Sequence, residues 1–312
     1  MEYEKYPSTG LDPDSDWEFM LCLTHDVDRV RKTYQCLYYA LIERDPSHLE
    51  PLLRGENPYW QFDSILALER DLGVRSSFYF LNEKSLLEDK GICDWIRPKA
   101  WSLYSYYNLT SKDVVDVLRR IEDAGWEVGL QGSYDSFREP DRLEQEKEVL
   151  DELTDGPVVG GRQHYLNMEF PNTWRTQRRV GLQYDSTLGS GTEFGFDYGY
   201  EVYHPFGGEF TVFPLTMMDQ AVMASGDNVD DIKASCERVL QEAADNAAVM
   251  TIDWHQRTFD PNDFPGYGDV YEFVVHRALE LGAWVGPVAE AYDHLIGDSC
   301  GVRSTGTGTE QL

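Results

Sequence analysis

Four short segments, widely separated in the chain, carry residue types suited to hydrolytic chemistry. They are Thr24-His25-Asp26-Val27-Asp28, Gln131-Gly132-Ser133-Tyr134-Asp135, Gly161-Arg162-Gln163-His164-Tyr165 and Asp253-Trp254-His255. In the first, the two-residue period of a strand puts Thr24, Asp26 and Asp28 on one face. Two carboxylates so close do not both ionise freely unless a cation lies between them or they divide the labour. The division that suits hydrolysis has one carboxylate hold a metal while the other takes a proton from the metal-bound water. A solvated Asp pair that caps a helix satisfies the same segment. A lone His at a strand end is more often structural than a proton donor, and it is the barrel order of the four segments that reverses this for His255. His25 alternates to the face away from Asp26 and Asp28, where packing against a helical layer is expected.

Such segments can act together only if strands carry them to one place. Runs rich in β-branched and aromatic residues fall at 19–25, 76–81, 126–130, 157–160, 182–187, 209–215, 248–254 and 283–286. Helix-like runs alternate with them at 61–72, 111–124, 140–153, 172–180, 229–246, 269–282 and 287–296. Gly73, Gly125 and Gly282 end helices just before strands, as residues that tolerate a left-handed C-cap. Alternation with turns this short predicts an α/β fold with a mostly parallel sheet, closed into a (β/α) barrel whose strand C-termini gather the four segments. Residues 1–18 read as a loose N-terminal segment, 19–297 as one continuous barrel domain and 298–312 as a disordered tail. Connections 31–60 and 91–108 are long for a minimal barrel. The second holds Trp95, Trp101, Tyr104, Tyr106 and Tyr107, which fit either sugar stacking at the barrel mouth or the loop's own small core.

With those segments in hand, the chain resembles the polysaccharide deacetylase family, the NodB-homology or family 4 carbohydrate esterases. Thr24-His25-Asp26-Val27-Asp28 is a variant of the family's first motif, Ser76–Leu81 is similar to its second strand, and Gln131–Asp135 stands at its second motif. Gly161–Tyr165 is similar to the third motif and Asp253-Trp254-His255 to the last. The resemblance covers roughly residues 19–296 and implies a distorted (β/α) barrel of about seven strands. It also implies that Asp26 is the base, that Arg162 orients it and that His255 protonates the leaving group. Asp28 would be a metal ligand, with Asp135 beside it. Gln131 and Asp135 stand where the family carries two His ligands. Asp is a competent ligand and the neutral Gln a weak one, so the divalent metal, zinc by the family's habit, would need another nitrogen. His164 shares a strand face with Arg162 and would supply it. Tyr184-Asp185-Ser186-Thr187 is a further candidate lining of the pocket.

The chain has 312 residues, 41% of them hydrophobic and 13% aromatic, enough for a sizeable core. Against 27 basic residues stand 56 acidic ones, a net charge of -29, so nucleic acid and anionic membranes are poor partners. The acidity is spread along the chain and Arg (19) outnumbers Lys (8), as on the surface of a halophile; a merely acidic mesophilic enzyme is the alternative. Cys22, Cys36, Cys93, Cys236 and Cys300 lie singly, which predicts reduced thiols in a cytoplasmic protein, without a disulfide framework. No apolar run is long enough to span a membrane. The expected function is therefore metal-dependent hydrolysis of an amide, N-deacetylation of a sugar or glycan precursor. The alternatives are a retired barrel that binds a glycan or assists its assembly, and a metal-free hydrolase of a cyclic amide relying on Asp26 and His255.

Overall fold

The structure is a computed structural model that describes residues 5–32, 36, 40, 44, 46–49, 53–83, 107–208 and 210–296. Among the described residues eleven strands make one sheet: β1 (Ser8–Thr9), β2 (Met20–Val27), β3 (Ser77–Leu81), β4 (Glu127–Gly132), β5 (Gly160–Gln163), β6 (Tyr184–Asp185), β7 (Val202–Tyr203), β8 (Thr211–Val212), β9 (Leu215–Met218), β10 (Val249–Asp253) and β11 (Trp284–Gly286). Their order is β1-β7-β8-β6-β5-β4-β3-β2-β10-β9, with β11 paired to β2. Pairing is parallel except where β7 meets β1 and β8. Four strands, β1, β6, β7 and β8, are only two residues long. The other seven form the frame that the sequence predicts. The Leu215 amide donates to the Leu188 carbonyl (2.8 Å), which draws the β9 edge back toward the segment leaving β6 and curls the sheet into a half-barrel.

Among the described residues the helices that cover it include α1 (Phe62–Leu72), α2 (Lys112–Asp123), α3 (Pro140–Asp151), α4 (Asn172–Arg179), α5 (Asp219–Met223), α6 (Val229–Asp245), α7 (Tyr267–Glu280) and α8 (Val288–Ile296). In α2, Val114, Val117, Leu118 and Ile121 recur at helical spacing and are the buried stripe. Asn228 caps α6, its side chain accepting from the Asp230 and Asp231 amides. Gly73, Gly125 and Gly282 take φ of 74°, 84° and 84° at helix ends, as their type predicts.

Every residue of β2 is buried, as expected of a strand covered on both faces. Phe19, Leu21 and Leu23 point to the layer of α6 and α7, while Met20 and Cys22 point inward to Tyr79, Tyr184 and α8. Each such aliphatic side chain stabilises the fold by about 1.5–3 kcal/mol. The inward face continues as Thr24 and Asp26, so the interior is apolar at one end and carboxylate-bearing at the other.

Three sequence expectations shift. The run 157–160 is only the entry to β5, which lies at Gly160–Gln163 and is set by its neighbours, since Gly-Gly-Arg-Gln has little strand propensity of its own. The run 209–215 divides into β8 and β9 around Pro214, which has no amide to donate to a ladder. The long connection 91–108 falls outside the described residues except for 107–108, so Trp95, Trp101, Tyr104 and Tyr106 are not described; Tyr107 is buried and its hydroxyl accepts the Leu81 amide (2.8 Å).

Candidate active site

Five strand ends, those of β2, β4, β5, β9 and β10, converge on a cavity of about 200 Å³ lined by Asp26, Asp28, Gln131, His164, Tyr165, Met218, His255 and Arg257, among others. The registers explain the convergence. Gln131 of β4 lies beside Arg162 of β5 and Leu81 of β3, Asp26 of β2 beside Tyr79, and Asp253 of β10 beside Thr24 and Met218. The close approach of β4 and β5 requires Gly161, where a Cβ would sit 1.9 Å from the Leu130 carbonyl oxygen.

Asp26 is almost fully buried and held on every side. Arg162 Nη1 donates to Asp26 Oδ1 (2.8 Å) and to Thr24 Oγ1 (2.9 Å) and lies 3.2 Å from Asp253 Oδ1. The rest of that guanidinium is fixed by Ser186, through its carbonyl (2.7 Å) and its hydroxyl (3.0 Å), and it stacks 5.2 Å from the Tyr79 ring centroid. Gln131 Nε2 donates to Asp26 Oδ2 (3.1 Å) and to Asp28 Oδ1 (2.9 Å). Burial raises the Asp26 pKa to about 7, opposed by Arg162 and assisted by Asp253 and Asp28.

Four nitrogens face the two oxygens of Asp28. Gln131 Nε2 (2.9 Å) and His164 Nε2 (3.4 Å) face Oδ1; Arg257 Nη1 (2.5 Å) and His255 Nε2 (3.5 Å) face Oδ2. Burial pushes the Asp28 carboxyl up, but Arg257, His255 and His164 outweigh it and hold the group well below the ordinary carboxylate range. His255 Nδ1 sits 3.0 Å from both Asp219 oxygens, and the His255 amide donates to Asp219 Oδ2 (2.9 Å). Burial would lower its pKa; Asp219, Asp253 and Asp28 outweigh that and raise it to about 10, so the ring is an imidazolium at neutral pH. His164 goes the other way: burial lowers its pKa to about 4, against the pull of Asp28.

Of the residues singled out in the sequence, Asp26, Asp28, Arg162, His164 and His255 meet here. Asp135 does not line the cavity; its carboxylate accepts from Arg138 Nη2 (2.6 Å). Ser186 lies behind Arg162 instead of lining the pocket. His25 packs away from the site, its Nε2 on Glu69 (2.8 Å) and its Nδ1 on the Trp254 carbonyl (2.6 Å). Sequence reasoning assigned no role to Asp219, Asp253 and Arg257. For one of them a signal existed: Asp253 opens the Asp253-Trp254-His255 motif at the end of β10.

The donors do not suit a divalent ion. Among the described residues, the one group of three possible ligands with atoms within 4.8 Å of one another is Asp26, Asp253 and His255. Arg162 Nη1 already lies 2.8 Å from Asp26 Oδ1 and 3.2 Å from Asp253 Oδ1, a fixed cation shared by those two carboxylates. At the expected set, Asp28 faces four nitrogens, Asp135 is engaged by Arg138, and Gln131 presents its amide nitrogen instead of its oxygen.

No protein-family model matches the sequence, and no curated protein does. Solved structures do. A protein assigned as a polysaccharide deacetylase from Mycobacterium smegmatis superposes with a TM-score of 0.60 at 16% identity, over 98% of this chain and 99% of that one. A CE4 family pseudoenzyme from Bacillus anthracis gives 0.48 at 12% identity, over 91% of this chain and 67% of its own. The chitin deacetylase of Colletotrichum lindemuthianum gives 0.47 at 12%, over 87% and 86%. The fold is thus that of the polysaccharide deacetylases, as the motifs imply.

Proposed function

We propose that the protein hydrolyses carbon–nitrogen bonds, removing the acetyl group from the nitrogen of a sugar or glycan precursor. The observation that carries this reading is a base and an acid in one cavity: buried Asp26 with its pKa raised to about 7, and His255 held as an imidazolium against Asp219. Above pH 7, ionised Asp26 takes a proton from water as the water oxygen bonds to the amide carbonyl carbon, and the carbonyl electron pair moves onto oxygen. Collapse of that oxyanion breaks the C–N bond, and the amine nitrogen takes the His255 proton; acetate and free amine leave. Arg162 and Gln131 fix the Asp26 carboxylate, and Asp219 fixes the imidazole, so neither group spends binding energy on orientation.

Residues 19–297 form the unit we assign to this activity, and lone buried thiols at Cys22, Cys36 and Cys236 agree with a cytoplasmic setting. Among the described residues no helix is long and apolar enough to cross a membrane.

The test is acetate release from a panel of N-acetylated sugars and sugar nucleotides by wild type and Asp26→Asn. Wild type is expected to release acetate and Asp26→Asn to lose about 10²–10⁴-fold. Wild type that releases none from any member would leave a binding protein in place of an enzyme.

A further inference from the structure

Arg257 lines the cavity, yet the base and the acid above do not use it. Its Nη1 lies 2.5 Å from Asp28 Oδ2, with the two side chains only 14% and 10% exposed. A metal ion would bind that oxygen at about 2.0–2.2 Å, which would set it beside the fixed positive charge of the guanidinium, and the four nitrogens around Asp28 already face the lone pairs of both its oxygens. The other oxygen of Asp28 already accepts from Gln131, whose Oε1 is buried with no partner among the described residues.

We propose that Arg257 is the permanent cation of this site, that it replaces a divalent ion beside Asp28, and that the protein therefore binds and needs no metal. Where a metal would polarise the carbonyl of an amide, the guanidinium offers further N–H groups of its planar fork to the same oxygen as charge develops there. That last step rests on the hydrolase reading; the exclusion of metal rests on the geometry of Asp28 alone.

The experiment uses purified wild type and Arg257→Ala. Elemental analysis, melting with and without EDTA, and calorimetric titration with ZnCl₂ and MnCl₂ are measured on both. Wild type is expected to hold no stoichiometric metal, to melt at the same temperature in EDTA, and to bind neither ion. Arg257→Ala leaves Asp28 without its cation; its melting temperature should fall by several degrees and recover in part with millimolar manganese or zinc. One ion per wild-type chain, removed by EDTA with a drop in melting temperature, overturns the proposal. So does an Arg257→Ala protein that melts like wild type and takes up no ion. Should Arg257→Ala not fold, the wild-type titration decides alone. None of these readouts involves turnover, so failure to release acetate and failure of this proposal are separate results.

Discussion

The imidazole of His255 faces Asp219 at 3.0 Å, Asp28 at 3.5 Å and Asp253 at 3.6 Å, and Asp219 contributes most to keeping it protonated. With Asp26 titrating near 7 as the base and His255 near 10 as the acid, the rate should rise through pH 7 and fall near pH 10. Asp219→Asn should move the alkaline limb down toward the ordinary histidine value of about 6.5 and leave the acid limb in place; a pH–rate profile whose alkaline limb does not move removes Asp219 from the mechanism. Stability follows with a definite sign. The folded pKa of His255 is raised, so its contribution is complete below about pH 6.5 and is lost as pH rises through about 10. Wild type should therefore melt lower at pH 10 than at pH 7, and Asp219→Asn should show a shallower fall. The sequence disclosed Asp26, Arg162 and His255 because each sits in a short motif of distinctive residue types. Asp219 and Arg257 were hidden because an acid after a strand and an Arg in a short 3-10 turn are common, and only the fold brings them to those partners.

At the scale of the element, β5 has the least strand character of its own and the most to position. Gly160 and Gly161 allow it to lie against Tyr184 and β4, and Arg162 follows directly. Gly161→Ala puts a methyl group 1.9 Å from the Leu130 carbonyl oxygen, a backbone atom that cannot move aside without breaking the β4–β5 ladder. A loss of about 3 kcal/mol is expected, at the upper end of ordinary overpacking, measured as the shift of the urea midpoint; a shift near zero would mean that the two strands are farther apart. Long periodic helices such as α2 and α6 were legible because apolar residues repeat and caps mark their ends. The two-residue strand β7 was not, since pairing with β1 and β8 defines it and no local pattern does; β6 and β8 fall within the runs 182–187 and 209–215 but are shorter than those runs.

The molecule as a whole carries a net charge of -29, and this was fully legible because it is composition alone. Lateral repulsion among so many carboxylates is screened over about 8 Å at physiological ionic strength and about 3 Å at 1 M salt. We propose a halophile's surface, and the melting temperature should accordingly climb between dilute buffer and molar KCl; an unchanged value would point to an acidic protein of ordinary salinity. The central strand gives the molecule a different kind of dependence. β2 takes its ladder partners from β3, but also from β10 and β11, more than two hundred residues downstream. At about 5–20 residues per second a ribosome needs on the order of 10 to 45 s to make the chain between β2 and β10. Through that interval β2, the longest strand among the described residues and buried throughout in the finished fold, has one edge without its partner. That open edge makes the yield of folded chain depend on synthesis rate and chaperone cover as well as on final stability.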